Sequence, residues 1–264
     1  MRYRAVLFDL FDTLVRLNRE RLPLVTVNGR TVRSTVSRLH DVLSAEAPHV
    51  TIETLQGAMA ESWREAERLR AIDHREVAAP ERFGYLFRYL ALDPESCRPG
   101  LVIDMIETHR RELARAVEVP DHHAALLRDL RRHYRLAVVS NFDYTPTALG
   151  ILTEAGIIDL FELIVVSDAV GWRKPAPPIF RETLDRMRLA PADALFVGDR
   201  ADIDVAGALV MGMDVAWINP EAEPLPEGLG PPTYEVRDLE ELRTILGVPA
   251  GSTPASPGPG DASQ

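Results

Sequence analysis

The sequence predicts an α/β fold, in which a doubly wound parallel sheet carries an inserted, mainly α-helical segment. Short apolar runs recur along the chain and end at polar or turn-forming residues, which is typical of strands buried on both faces. Helical patterns lie between these runs, and right-handed crossovers then place helices on both faces of the sheet. A long stretch after the first run has a different, mainly helical pattern, which indicates an insertion.

Five strands are predicted from the apolar runs. They are residues 5–8, 136–139, 163–166, 194–197 and 215–218. Four helices follow from apolar residues at three and four spacing, together with Pro, Asp and Gly at the helix ends. They begin near Asp121, Pro146, Pro178 and Ile203. Strands and helices therefore alternate through the second half of the chain.

Between about residues 17 and 119 the pattern changes. Asn28-Gly29 supplies the positive φ angles of a type I′ turn and predicts a hairpin from residues 22–27 and 30–34. Helices are predicted at 32–45, 52–70, 81–90 and 101–117. We therefore expect residues 1–16 and 120–247 to form the core and 17–119 a helical domain with a small hairpin. Residues 248–264, rich in Gly, Pro and Ser, are expected to be a disordered tail.

Charge and composition argue against several classes of function. The chain of 264 residues has 40 Asp and Glu against 30 Lys and Arg, so a nucleic-acid partner is not expected, because clustered Lys and Arg hold phosphate backbones. The single cysteine, Cys97, cannot form an internal disulfide, and no run reaches the roughly 20 apolar residues that span a bilayer. We expect a cytoplasmic protein without a membrane partner. The oligomeric state is left open.

Polar residues follow the predicted strands at one edge of the sheet. Asp9, Ser140 and Asp199 follow three of these apolar runs, and the only lysine of the chain, Lys174, lies in the loop after a fourth. Ligands of doubly wound sheets bind beyond the carboxyl ends of the strands, so we expect these side chains to converge. Each alone is compatible with an ordinary turn or helix cap. Their convergence is what indicates a functional site.

Four short motifs carry a resemblance to a known family. They are Asp9-Leu10-Phe11-Asp12-Thr13, Ser140-Asn141, Lys174-Pro175 and Gly198-Asp199 through Asp204. In this order they resemble the four motifs of the haloacid dehalogenase-like hydrolase superfamily, and the insertion resembles the cap of that superfamily. The resemblance covers nearly all of the chain except the tail. It implies a Rossmann-like core and a hydrolase.

The resemblance also implies roles for individual residues. Asp9 would be a nucleophile that forms a covalent ester, with Ser140 and Lys174 as further catalytic residues. Thr13 and Asn141 would bind a small phosphorylated metabolite or another small anionic substrate. Mg²⁺ would be the cofactor, because hard oxygen ligands suit this cation. Its expected ligands are Asp9, the backbone carbonyl of Phe11 and Asp199. Asp204 is also expected at the metal site, where it would bind through water or lie behind the direct ligands and orient Lys174 or a metal-bound water.

Phe11 departs from the family pattern. Most phosphatases that this chain resembles have an Asp two residues beyond the nucleophile, and that Asp protonates the leaving group. Three functions therefore stay open: a Mg²⁺-dependent phosphatase for good leaving groups, a metal-independent 2-haloacid dehalogenase, or a phosphate-binding protein with little turnover. The dehalogenases resemble the chain in having an aromatic residue at this position. Asp199 beside Asp9 favours the phosphatase, since two adjacent carboxylates need a cation.

Two other groups of residues are expected to be structural. His122 and His123 are adjacent near a helix start, so their side chains are expected to point in different directions in a solvated turn. Arg64, Arg68 and Arg70 are expected to lie on a solvated helix face with Glu partners.

Overall fold

The centre of the fold is a parallel sheet. A computed structural model describes residues 2–250 of the chain. The strands are β1 (Ala5–Phe8), β2 (Arg16–Leu17), β3 (Leu24–Val27), β4 (Arg30–Arg33), β5 (Val117–Glu118), β6 (Arg135–Ser140), β7 (Leu163–Val166), β8 (Ala194–Gly198), β9 (Asp214–Ile218) and β10 (Tyr234–Val236). Six of the strands described form one parallel sheet in the order β10-β9-β8-β1-β6-β7.

Helices cover both faces of this sheet. The helices are α1 (Val36–Leu43), α2 (Ile52–Asp73), α3 (Ala79–Tyr89), α4 (Leu101–Arg115), α5 (Asp121–Arg131), α6 (Thr145–Glu154), α7 (Ser167–Val170), α8 (Pro177–Met187), α9 (Ala206–Val210) and α10 (Leu242–Leu246). Alternate residues of β1 separate the two cores: Val6 and Phe8 pack with α5 and α6, whereas Ala5 and Leu7 pack with α8 and α9. The predicted doubly wound α/β fold is confirmed.

The position of β1 decides where a ligand can bind. It lies between β6 and β8, and the chain proceeds outward from it in both directions. At such a switch point, the loops after neighbouring strands diverge to opposite faces and leave a crevice between them. Asp9 directly follows β1 and therefore lies at this crevice.

The insertion has its own apolar core, formed by α1 to α4 and the β3–β4 hairpin. Asn28 and Gly29 have φ angles of 49° and 71°, as the predicted hairpin turn requires. The helix predicted from residue 32 begins at Val36 instead, because residues 30–33 pair with β3. The helix predicted to reach residue 117 ends at Arg115, because Val117 pairs with Leu17 where the insertion joins the sheet region.

Two features at the C-terminal side of the sheet complete the described fold. The edge strand β10 was not predicted, because its three residues, Tyr-Glu-Val, are too short to form an apolar run. Val248, the first residue of the expected tail, is buried against the core. Residues 251–264 of that tail lie outside the described residues.

Among residues 2–250, no helix is long and apolar enough to cross a membrane.

Candidate active site

Loops after four strands of the sheet meet around one cavity. Its volume is about 190 Å³, and we call it the strand-end cavity. It is lined by Asp9, Phe11, Asp12, Ser140, Asn141, Arg173, Lys174, Asp199, Arg200, Ile203 and Asp204. The structure therefore brings together every residue predicted for the site except Thr13.

Lys174 joins two of these loops by ion pairs. Its Nζ lies 2.6 Å from Asp9 Oδ1 and 2.8 Å from Asp204 Oδ1, and its side chain is 1% exposed. Burial alone would lower the pKa of Lys174, but the charges of Asp204 and Asp9 outweigh it and raise that pKa. The lysine therefore remains an ammonium ion at neutral pH and holds a positive charge beside Asp9.

Asn141 fixes the backbone of the lysine loop. Its Nδ2 donates to the carbonyl oxygen of Lys174 at 2.9 Å, and its Oδ1 accepts from the Lys174 N–H at 2.7 Å. The sequence predicted Asn141 as a substrate-binding residue. That prediction concerns the backbone amides of its region and stays a prediction. The side-chain amide is engaged by the Lys174 peptide groups, so the side chain positions the lysine.

The two hydroxyl residues predicted for the site lie in different places. Ser140 lines the strand-end cavity, and its buried Oγ has no hydrogen-bond partner within the described chain. It is therefore available to donate to a bound oxyanion. Thr13 is also buried, but it lines a neighbouring cavity of about 350 Å³ with Arg16 and His123.

Three carboxylates face one another at the end of the sheet. Oxygens of Asp9, Asp199 and Asp204 all lie within 4.8 Å of one another. Burial and the neighbouring carboxylates of Asp9 and Asp204 raise the pKa of Asp199 to about 8. Asp199 Oδ1 is buried without a hydrogen-bond partner in residues 2–250. One ammonium group thus faces three carboxylates, and the side chain of Asp199 is the least compensated.

Local backbone geometry places Asp204 among these groups. Residues 201–205 form a wide π-helical turn, a feature frequent at functional sites, and Asp204 Oδ2 accepts from the Arg200 N–H at 3.0 Å. Gly198 is required next to it, because a Cβ there would lie 2.4 Å from Asp204 Cγ. The Asp199 carbonyl is held by Trp217 Nε1 at 2.8 Å. Gly198 is therefore required for packing, and Asp199 supplies a carboxylate to the site.

Phe11 and Asp12 both line the strand-end cavity. The ring of Phe11 packs on Phe142 with 5.0 Å between centroids, and it offers no exchangeable proton. Extended backbone would have placed Asp12 on the opposite side from Phe11. Instead the φ angle of Asp12 is 57°, in the left-handed region, so the chain turns and Asp12 also reaches the cavity.

The haloacid dehalogenase-like hydrolase family model matches residues 3–212, which include all four strand-end loops. The chain belongs to this family. The family that the four motifs predicted is therefore confirmed.

Individual members of the family are similar to this chain to different extents. The HAD hydrolase YfnB of Bacillus subtilis is 28% identical over 249 residues, which are 94% of this chain and 97% of YfnB. A magnesium-bound crystal structure of YfnB has a TM-score of 0.62 at 22% identity and covers 94% of this chain and 100% of that one. A 2-haloacid dehalogenase of Pseudomonas syringae has a TM-score of 0.69 at 22% identity, with coverages of 93% and 98%.

A phosphatase is also among the relatives. The glyceraldehyde 3-phosphate phosphatase of Pyrococcus abyssi is 34% identical over 140 residues. That alignment covers 52% of this chain and 57% of the phosphatase. The chain is therefore a member of a hydrolase family with phosphatases among its relatives and a dehalogenase among its structural neighbours.

The carboxylates of this family member fit a divalent cation. Asp199 carries a buried oxygen that no described group satisfies, and Asp9 and Asp204 lie close to it. A hard cation with oxygen ligands would satisfy that atom and offset the repulsion. The donor set is thus consistent with Mg²⁺ and does not resemble the nitrogen and sulfur sets of zinc sites.

Some buried charged residues were not anticipated from the sequence. Arg64 and Arg68 do pair with Glu61 and Glu65, as expected for a solvated face, but Arg70 is only 4% exposed. The signal that could have identified it is its spacing, because Ser62, Ala66 and Arg70 form one buried stripe of α2. Arg82 on α3 and Arg110 on α4 occupy buried stripes in the same way.

His123 was likewise expected in a solvated turn and is 3% exposed. Its Nδ1 lies 2.9 Å from the carbonyl oxygen of Leu14, in the loop that follows β1. The His122 and His123 rings are 4.5 Å apart, so the two side chains are close together. The first turn of α5 therefore packs against the core on one side.

Proposed function

We propose that this chain is a cytoplasmic, Mg²⁺-dependent phosphatase that hydrolyses small phosphorylated metabolites through a phosphorylated Asp9. The proposal depends on one observation, the contact of Asp9 with Lys174 in a cavity that also contains Asp199 and Asp204. A phosphate dianion is repelled by carboxylates unless cations offset them. The phosphatase among the relatives supports the reaction class.

The reaction takes place in two displacements. A carboxylate oxygen of Asp9 attacks phosphorus, the bond from phosphorus to the leaving oxygen breaks, and the electron pair departs on that oxygen. Water then attacks the phosphorus and loses a proton to solvent, while the bond from phosphorus to the Asp9 oxygen breaks. Inorganic phosphate is released and the Asp9 carboxylate is restored. Covalent catalysis of this kind replaces one difficult step by two easier ones.

Lys174 and Ser140 act on the transferring group. The Lys174 ammonium is already fixed beside Asp9, so its charge needs no reorganisation when negative charge develops on the phosphoryl oxygens. Ser140 Oγ, which lacks a partner within the described residues, donates to one of those oxygens. Asn141 keeps the lysine backbone in place through its two hydrogen bonds.

Mg²⁺, when bound, would offset the charge of the carboxylates and of the phosphoryl group. The residues that we propose to hold it are Asp9, Asp199 and the backbone carbonyl of Phe11. The oxygens of Asp204 contact Lys174 Nζ and the Arg200 N–H, so its role is to orient the lysine beside the cation.

Phe11 limits the chemical class of leaving group that the proposed enzyme can use. A general acid contributes roughly 10² to 10⁴ in rate, and Phe11 stands where the family resemblance implies such an acid. Substrates whose leaving oxygen is stable as an anion do not need that proton. The proposed phosphatase therefore prefers leaving groups of low basicity.

A second function is favoured by the same residue. Phe11 resembles the aromatic residue that 2-haloacid dehalogenases have at this position, and halide departs without a proton. Three adjacent carboxylates argue against it, because a metal-independent site has no cation to balance Asp199. We therefore place dehalogenation second.

A screen for phosphate release tests the first function. Purified protein is assayed with a panel of phosphorylated metabolites, with and without Mg²⁺, alongside Asp9→Asn and the control Asp202→Asn. Asp202 is exposed and outside the cavity. Release that needs both Mg²⁺ and Asp9 supports the proposal.

Other outcomes of the screen would overturn it. Chloride released from 2-chloropropionate without metal would establish the second function instead. Stabilisation by phosphate ligands without turnover, unchanged in Asp9→Asn, would indicate a binding protein.

A further inference from the structure

A second cavity adjoins the strand-end cavity at Phe11 and Asp12. Its volume is about 440 Å³, within the range of small-molecule sites. Phe11 and Asp12 line both cavities. We call this space the aromatic cavity, and a leaving group that extended from Asp9 past Phe11 would lie in it.

The walls of the aromatic cavity come from both the core and the insertion. Its lining residues are Phe11, Asp12, Leu17, Arg19, Leu22, Trp63, His109, Arg110, Leu113, Val117, Phe142 and Ile151. Phe11 and Phe142 form one aromatic wall, and Trp63 of α2 supplies a further ring that is 50% exposed. Flat apolar walls of this kind suit an aromatic ring, which can stack or pack edge-on against them.

One residue that lines this cavity has a polar atom without a partner. Arg110 is buried and paired with Asp143, yet its Nε is buried without a hydrogen-bond partner in residues 2–250. A buried donor left unsatisfied costs about 1–3 kcal/mol, and more when it is charged. A ligand that supplies an acceptor at Nε would remove this cost.

Arg110 belongs to a cluster of buried charges. Arg70, Arg82 and Arg110 are all buried, whereas Asp143 and Glu76 are the buried carboxylates that pair with them. Glu67 and Asp168 add negative charge from partly exposed positions, and Asp12 stands at the far junction of the two cavities. Burial, the largest cause, and the charges of Arg82 and Arg70 lower the pKa of Arg110, whereas Glu76 and Asp168 raise it. A charged donor such as this guanidinium binds a carboxylate more strongly than a neutral acceptor.

We propose that the aromatic cavity selects aryl phosphates that carry a carboxylate on the ring, with Arg110 Nε donating to that carboxylate. The inference rests on the proposed phosphatase function. Two independent features of the chain require the same substrate class: Phe11 favours a phenolate leaving group, and the cavity beyond it offers aromatic walls and an unsatisfied cationic donor. Arg110 is thereby assigned as a specificity-determining residue.

A matched pair of substrates tests the proposal. The 4-carboxyphenyl and 4-carbamoylphenyl phosphates have the same shape and both leave as phenolates, but only the first has an anionic substituent. We expect kcat/KM to be about 10-fold to 100-fold higher for the carboxylate, mostly through KM, because a hydrogen bond to a charged group is gained. Glycerol phosphate serves as the alkyl reference and is expected to be the poorest substrate.

Two variants test whether the aromatic cavity causes the preference for the carboxylate substrate. Arg110→Lys keeps the positive charge beside Asp143 but lacks Nε, so the ratio between the two aryl substrates should fall toward one. Trp63→Leu should raise KM for both aryl substrates and leave their ratio unchanged. Arg111→Lys, on the same helix but outside this cavity, should behave as the parent protein. Thermal unfolding of each variant verifies that it is folded.

A binding measurement gives a readout independent of turnover. 4-Hydroxybenzoate should stabilise the parent protein against heat more than 4-hydroxybenzamide does, and Arg110→Lys should remove that difference. Equal kcat/KM for the two aryl phosphates in an active parent protein would overturn the inference and leave the phosphatase proposal standing. Absence of phosphate release from every substrate would overturn the proposed function itself.

Discussion

Lys174 Nζ lies 2.6 Å from Asp9 Oδ1, although 165 positions separate the two residues in the chain. The same Nζ lies 2.8 Å from Asp204 Oδ1, and Asp204 is completely buried. The ammonium group therefore has two functions. It stabilises the fold by compensating buried carboxylates, and it keeps a positive charge beside Asp9, the proposed nucleophile.

Substitution of this lysine separates the two functions. Lys174→Met leaves Asp204 buried without its cation, so we expect the free energy of unfolding to fall by about 3–5 kcal/mol and activity to be lost. The double variant Lys174→Met/Asp204→Asn should regain much of the stability but none of the activity. Urea unfolding and phosphate release measure these two outcomes. A single variant with the stability of the parent would show that the ion pair is not structurally important.

Asp199 is expected to destabilise the metal-free protein. Asp199→Asn removes a carboxylate that faces Asp9 and Asp204, so the variant should unfold at a higher temperature than the parent without metal. Mg²⁺ should then raise the melting temperature of the parent but not of the variant. Asp202→Asn, in the same loop but outside the cavity, should keep the response. Equal Mg²⁺ shifts in parent and Asp199→Asn would argue against this metal site.

Phe11 can be replaced by the proton donor that the family resemblance implies at this position. Phe11→Asp should raise Mg²⁺-dependent hydrolysis of alkyl phosphates more than that of aryl phosphates, because phenolates leave without protonation. The ceiling for the alkyl gain is about 10² to 10⁴ in rate. Phe11→Asn has the same shape but no carboxyl group and should give no such gain. An equal gain in both variants would point to enlarged space and not to acid catalysis.

Much of the fold, and which residues form the site, could be predicted from local patterns in the sequence. Residues 5–8 are an unbroken apolar run that ends at Asp9, and the structure has a strand with these bounds. Parallel strands bring their carboxyl ends to one edge, so Asp9, Ser140, Lys174 and Asp199 could be placed in one site without coordinates.

The rest depended on backbone conformation and on long-range packing. Asp12 reaches the cavity through a left-handed φ angle that nothing in its residue type dictates. Thr13 faces a different cavity for the same reason, since the chain turns within the motif. Arg70 and Arg110 are buried only because the partner carboxylates Glu76 and Asp143 come from other segments. Helical spacing would have identified their faces but not their partners.

Gly198 is expected to tolerate no side chain. A Cβ at this position would lie 2.4 Å from Asp204 Cγ, so Gly198→Ala must displace a fully buried carboxylate that pairs with Lys174. We expect a loss of about 1–3 kcal/mol in the free energy of unfolding, together with a loss of activity. Gly57→Ala, in α2 with open space around the new Cβ, should be neutral or stabilise by up to about 1 kcal/mol. Parent-like activity in Gly198→Ala would show that the position of Asp204 is not critical.

His123 makes stability depend on pH. Burial lowers the pKa of His123 below its usual value of 6.5, assisted by His122 and Arg16 and opposed by the Leu14 carbonyl and Asp238. The unfolded chain therefore takes up this proton at a higher pH than the folded one. As pH falls below about 6.5, the unfolded state gains the proton first, and the free energy of unfolding decreases by up to about 1.4 kcal/mol per pH unit from this group.

The variant His123→Asn isolates that contribution. Its amide can still donate to the Leu14 carbonyl, but it does not titrate. Urea midpoints measured from pH 7.5 to pH 5 should therefore decline less steeply in the variant than in the parent, and the two curves should converge as pH falls. Parallel curves over this interval would mean that His123 binds its proton equally well in both states, and burial of the imidazole would then have no thermodynamic consequence.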